Sequence, residues 1–232
     1  MKTIGLLGGM SWESTASYYK AINEDVNQQL GGLHSAKISL FSVDFDEIEK
    51  LQYQGDWQQT ASILSEAAQR VEQAGADFML ICTNTMHKVY DDIDAAINIP
   101  ILHIADATAD RLKLDNIDTV GLLGTGFTMK QDFYKGRLKS LHGIDVIVPH
   151  DEQQKVVHDI IYRELCLGEF KPSSKASYLQ IVEDLFSRGA QAIILGCTEI
   201  ALLINQSDTE IPLYDTTSIH AAAAVNYALN LK

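Results

Sequence analysis

The sequence predicts an α/β protein made of two similar halves, each a parallel sheet with helices on both faces. Two observations carry this expectation. Apolar runs of strand length alternate with amphipathic helical segments along most of the 232 residues, and one strand-and-helix unit occurs twice. Parallel neighbours need long crossover connections, and the helices in those crossovers cover the sheet on both sides.

Strand candidates are the apolar runs at 3–7, 37–43, 77–82, 100–104, 119–123, 145–148, 191–195 and 211–214. Between the second and third, residues 56–74 place Trp57, Ala61, Leu64, Ala67, Ala68 and Val71 at helical spacing, which marks one buried face. Residues 178–186 do the same with Leu179, Val182, Leu185 and Phe186. A last helix around 221–229 is expected to return to the first half. The expected division is therefore 1–102 plus 209–232 for one domain and 103–208 for the other.

The duplication is explicit in the residues. Ile4-Gly5-Leu6-Leu7-Gly8 returns as Val120-Gly121-Leu122-Leu123-Gly124, and Gly75-Ala76 returns as Gly189-Ala190 ahead of the next apolar strand. In that register Cys82-Thr83-Asn84-Thr85 corresponds to Gly196-Cys197-Thr198-Glu199. Ligands of open parallel sheets bind beyond the carboxyl ends of the strands. Two facing halves would thus present Thr83 and Cys197 from opposite sides of one cleft.

Composition narrows the function classes. A formal charge of −13 disfavours a nucleic-acid partner, because phosphate contacts need a basic face. The longest apolar stretches fall far short of the roughly 20 residues of a membrane-spanning helix. Met1-Lys2-Thr3 runs straight into a strand pattern with no targeting segment, so a soluble cytoplasmic protein is expected. Three cysteines, Cys82, Cys166 and Cys197, lack paired spacing, which favours reduced thiols over disulfides, and without CxxC or HxxxH patterns no metal site is expected.

Several residues could carry chemistry. The glycine-rich turn Gly5-Leu6-Leu7-Gly8-Gly9-Met10-Ser11 offers backbone N–H groups to an anion, yet its spacing is not that of a dinucleotide fingerprint. Cys197 sits where a strand hands over to a helix, a position whose amides can stabilise a thiolate and lower its pKa. Strand alternation points Cys82 into the core and Thr83 away from it. Cys166 reads as packing, and His87 as a residue that orients the loop after Thr83. His103 and His220 have no neighbouring acid or nucleophile in any recognisable pattern, and no GxSxG elbow of a serine hydrolase is present.

Thr83-Asn84-Thr85-Met86-His87 resembles the CNTxH motif of the aspartate/glutamate racemase superfamily, with threonine where cysteine usually stands. Gly196-Cys197-Thr198-Glu199-Ile200 resembles its GCTEI motif, and Ile4 to Thr15 looks like the opening of the aspartate racemase branch. Glu199 argues against the peptidoglycan glutamate racemases, which usually carry histidine there. The resemblance implies two pseudo-symmetric, doubly wound Rossmann-like domains, often dimerised, with the active site in the cleft between them. It implies racemisation of a small amino-acid substrate without pyridoxal phosphate, metal or other cofactor.

Carried onto this chain, the resemblance makes Cys197 and Thr83 the two acid/base groups. It assigns substrate contacts to Met10, Asn84, Thr85 and Thr198, and suggests Gln52 and Arg163 as further ones. Inverting a carbon needs one group to remove a proton from one face and another to deliver a proton to the opposite face. A threonine hydroxyl is a far weaker acid than a thiol. That departure leaves open a one-cysteine lyase or isomerase of the arylmalonate decarboxylase or maleate isomerase type, and a non-catalytic amino-acid-binding protein.

Overall fold

A computed structural model describes residues 1–231. The chain forms two compact units, Met1–Ile104 with the residues from His220 onward, and Ala105–Ile219.

The first unit contains β1 (Ile4–Gly8), α1 (Trp12–Leu30), β2 (Ile38–Ser42), α2 (Phe45–Gln54), α3 (Trp57–Gln73), β3 (Phe78–Ile81), a 3-10 turn at Thr85–Val89 and α4 (Tyr90–Ala95). Its strands are parallel in the order β2-β1-β3. The inner strands β1 and β3 are buried throughout because both their faces are covered, whereas the edge strand β2 carries Ser39 and Ser42 and is only partly covered. Leu7, Met79 and Ile81 pack against Ala61, Leu64, Ala68 and Val71 of α3. Ile4, Leu6, Phe78 and Leu80 point the other way, onto Tyr18, Ile22 and Val26 of α1 and onto Ala221, Ala224, Val225 and Ala228 of the C-terminal helix. Leu64 is fully buried, so Leu64→Ala would cost about 2–5 kcal/mol by transfer and cavity terms together.

The second unit contains α5 (Ile104–Leu114, its first residue in the first unit), β4 (Thr119–Gly124), α6 (Gly126–Lys130), α7 (Asp132–His142), β5 (Asp145–Ile147), α8 (Asp151–Arg163), α9 (Pro172–Ser187), β6 (Ala192–Gly196), α10 (Ile200–Leu203) and β7 (Leu213–Asp215). The last helix, α11, spans Thr216–Leu229. The sheet is parallel in the order β5-β4-β6-β7. Leu123, Ile193 and Leu195 share a core with Val157 and Ile161 of α8 and Tyr178, Val182 and Leu185 of α9.

The duplicated sequence is a duplicated topology. In each unit the strand of the Gly-Leu-Leu-Gly repeat is flanked by the next strand in sequence on one side and the one after on the other. Two expectations are corrected. Residues 100–104 make only an isolated bridge, Met79 to Ile101, and Ile104 already begins α5. The groups that would extend the pairing are engaged elsewhere, Leu102 O accepting from His220 and Ile104 N–H donating to His87. Residues 209–219 belong to the second unit rather than the first, because β7 pairs with β6 from Ile193↔Leu213 to Leu195↔Asp215.

Candidate active site

In the first unit β1 and β3 are parallel neighbours, so the turns after them leave the same edge of the sheet. The first turn, Gly9-Met10-Ser11, is fixed by Thr15 of α1, whose hydroxyl accepts from Gly9 N–H at 2.8 Å and donates to Ser11 O at 2.9 Å. Gly9 has φ +96°, and a β-carbon there would fall on the Val43 backbone, so only glycine serves. Met10 is buried. Ser14 donates to the Cys82 carbonyl at 2.9 Å and ties α1 to the end of β3. Thr83 follows, half-buried, then buried Asn84 and Thr85. Gln52 of α2 is buried and its amide lies 3.8 Å from the Met86 sulfur, which brings it to the same loop.

His87 holds this loop from beneath. Its Nδ1 lies 2.8 Å from Thr83 O, which must accept, so Nδ1 carries the proton; Nε2 in turn accepts from Ile104 N–H at 3.3 Å. The tautomer is therefore determined and the ring is neutral. Burial, with His103 and His220 nearby, keeps its pKa well below the usual imidazole range. His220 is fixed in the same way, donating from Nε2 to Leu102 O at 2.8 Å and accepting from Tyr18 at Nδ1 at 2.8 Å. The His103 ring packs 4.3 Å from that of His87. Sequence alone missed that these three histidines form one cluster.

In the second unit Cys197 follows β6 and Thr125 follows β4, again parallel neighbours. Thr125 caps α6, its hydroxyl accepting from Thr128 N–H at 3.3 Å. Cys197 is 9% exposed, and its thiol donates to Glu199 Oε2 at 2.9 Å. Thr198, half-buried, donates to the same oxygen at 2.7 Å, and Glu199 is only 3% exposed. Arg163 is exposed at the last turn of α8.

The acidity expected for Cys197 is corrected. Burial first, and then the charges of Glu199 and Cys166, push its pKa well above the usual thiol range, against a smaller lowering by the Glu199 backbone hydrogen bond. The helix that follows has one turn, too short for a strong dipole to offset desolvation. Cys82 is wholly buried and burial raises its pKa also. Among the described residues, no group of three or more His, Cys, Asp or Glu side chains is placed to hold a metal ion. No helix among them is long and apolar enough to cross a membrane.

Two strand-end motifs, one with a buried thiol hydrogen-bonded to a carboxylate, sit at matched places in two copies of one fold. Residues 7–224 match the family described as Asp/Glu/Hydantoin racemase. This chain belongs to the Asp/Glu/hydantoin racemase family. It is 57% identical to a candidate Asp/Glu racemase from Yersinia pestis of known structure, with TM-score 0.92 and 99% and 100% of the two chains covered. An aspartate racemase homologue from Pyrococcus horikoshii OT3 is 34% identical, with TM-score 0.86 over 99% and 100% of the two chains. A broad specificity amino-acid racemase of Bacillus subtilis strain 168, RacX, is 25% identical over 236 aligned positions, 96% of each chain. Membership of the racemase family agrees with the resemblance carried by the three motifs. The duplicated α/β architecture is that of the solved relatives.

Proposed function

We propose that the protein is a cofactor-independent racemase of aspartate, glutamate or a related amino acid, exchanging the α-proton between Cys197 and Thr83. The observation that carries this reading is the register of the two strand ends. Leu7 pairs with Ile81 and Leu123 pairs with Leu195, and the candidate acid/base residue stands two positions beyond each paired residue, at Thr83 and at Cys197. A duplicated fold so equipped supplies one proton-transfer group from each copy, as inversion at carbon requires.

In this reading Cys197 as thiolate takes the α-hydrogen as a proton, and the Thr83 side delivers a proton to the other face of the resulting carbanion. The turn N–H groups at Met10, together with Asn84, Thr85 and Thr198, bind the amino and carboxylate groups, and Gln52 and Arg163 are further contacts. The protein acts in the cytoplasm, as a homodimer. The Thr83 hydroxyl specifically favours one second reading, a one-cysteine lyase or isomerase, in which protonation on a single face is enough.

The test is α-deuterium incorporation from deuterated water, followed by NMR for the two enantiomers of aspartate and glutamate. Exchange accompanied by appearance of the opposite enantiomer is expected. Absence of exchange with all four, alongside decarboxylation or double-bond isomerisation of a suitable diacid, would replace the racemase reading with the second.

A further inference from the structure

A cavity of about 450 Å³ lies in the second unit between α6, which contributes Phe127 and Lys130, and α8, which contributes Asp151, Gln154 and His158. Its size is that of a small-molecule site. None of these residues takes part in the proposed proton transfers. Lys130 and Asp151 bring opposite charges to one cavity, yet neither forms an ion pair among the described residues. Lys155, also on the wall, is held by Asp159.

Two further polar groups of the wall are left half-satisfied. His158 Nδ1 accepts from Gly126 N–H at 3.1 Å, so the ring proton is on Nε2. Burial first, and then the cations Lys130, Lys155 and Arg163, lower the His158 pKa against an opposing pull from Asp159, so the ring stays neutral. Its Nε2–H is then a donor with no partner among the described residues. Gln154 is 6% exposed and donates from Nε2 to Pro149 O at 2.7 Å, while its Oε1 has no donor. A buried acceptor without a donor is costly, and a donor brought into the cavity relieves that cost. Phe127 stands edge-on to His158, ring centroids 6.5 Å apart, and gives the wall its apolar part.

We infer that this cavity binds an α-amino acid with a large apolar side chain, taken up as its zwitterion at a place separate from the two strand-end motifs. The inference does not depend on the racemase reading. The ligand carboxylate is received by the Lys130 ammonium and the His158 Nε2–H, and its ammonium by the Asp151 carboxylate and Gln154 Oε1. Its side chain lies on Phe127 and on the aliphatic stems of Lys130 and Lys155. A simple anion would leave Asp151 and Gln154 without a donor and would enter against the chain's charge of −13. A simple cation would leave Lys130 and His158 unengaged. Phosphate is disfavoured further, because the Gly126 N–H that opens α6 is already given to His158. An acidic side chain would meet Phe127 and find Lys155 already paired with Asp159, which sets this ligand apart from aspartate and glutamate.

Isothermal titration calorimetry of the whole chain tests the inference, with L-phenylalanine as the probe. The comparison compounds are 3-phenylpropanoate, which lacks the ammonium, and phenethylamine, which lacks the carboxylate. L-Phenylalanine should bind once per chain, and each truncated compound at least about tenfold more weakly, as loss of a charge-assisted hydrogen-bonding group requires. Lys130→Glu should weaken L-phenylalanine at least about tenfold and Gln154→Met about fivefold. Lys130 is exposed, so its substitution leaves the core untouched, and circular dichroism melting verifies that each variant is folded. Should Gln154→Met fail to fold, Lys130→Glu decides alone. Unchanged affinity in folded Lys130→Glu would place the ligand elsewhere and overturn the inference. So would 3-phenylpropanoate binding as tightly as L-phenylalanine, or no binding of L-phenylalanine at millimolar concentration.

Discussion

Thr83 and Cys197 occupy the same register position in the two copies of the fold. Each stands two residues past the strand residue that pairs with the second leucine of a Gly-Leu-Leu-Gly strand, Ile81 with Leu7 and Leu195 with Leu123. Equivalent positions with unequal chemistry predict unequal faces. The enantiomer that presents its α-hydrogen to Cys197 should exchange much faster than its mirror image, and family resemblance points to the L form. Cys197→Ala should abolish exchange, a loss of at least about 100-fold for a removed general base. Thr83→Cys should accelerate the slow enantiomer. Equal initial rates of deuterium uptake for the wild-type enantiomers, or full activity in Cys197→Ala, would refute the assignment.

Activity is expected to survive exhaustive dialysis against a chelator, with no absorbance band of bound pyridoxal phosphate. The Cys197 and Thr83 side chains supply the proton transfers of the proposed step themselves. Loss of turnover that either a divalent metal or pyridoxal phosphate restores would contradict this.

Stability should fall as pH drops through the range where a free histidine gains its proton. His220 is wholly buried, and burial lowers its pKa to about 4. Below the unfolded value of about 6.5 the unfolded chain binds a proton that the folded chain refuses, so stability is full above that value and declines toward pH 4. The loss amounts to about 3 kcal/mol at the lower end. His220→Gln can still accept from Tyr18 and donate to Leu102 O, but it cannot titrate. Its denaturant-derived stability should therefore change less between pH 7 and pH 5 than that of the wild type. Parallel curves for the two proteins would show that His220 does not contribute.

His87→Leu should destabilise the first unit and slow exchange together. The substitution leaves the Thr83 carbonyl and the Ile104 N–H without their ring partner, at about 1–3 kcal/mol for each buried group. Chemical denaturation measures the stability change. A rate unaffected at a temperature where the variant is fully folded would mean that the Thr83 loop does not depend on His87.

Two glycines with positive φ should respond differently to alanine. At Gly9 the new β-carbon would meet the Val43 backbone, whereas at Gly32, with φ +60°, nothing lies within 4 Å. Gly32→Ala should cost about 1 kcal/mol of backbone strain alone. Gly9→Ala should cost severalfold more, or prevent folding, and a thermal denaturation comparison distinguishes them.

The sequence by itself determined the strand-and-helix alternation, the duplication and the two strand-end motifs. These are properties of local pattern: a strand buried on both faces is apolar throughout, and a turn with positive φ favours glycine. It also separated Cys82 from Thr83, because side chains alternate along a strand, and Cys82 is indeed in the core. Tertiary structure decided what depends on partners distant in the chain. Residues 100–104 look like a strand, yet they pair at one point only, because Leu102 O accepts from His220 and Ile104 N–H donates to His87 instead of to β3. Residues 211–214 also contain a proline, Pro212, yet Leu213 and Tyr214 go on with Asp215 to pair along β6 as β7. The histidine cluster gathers His87, His103 and His220 from three separated segments, and no spacing rule links them. The acidity of Cys197 was misjudged for a related reason. Position ahead of a helix is visible in sequence, but the side chain of Glu199 turns back onto the sulfur and the whole pair is buried, and a pKa follows the summed field and desolvation of the folded site.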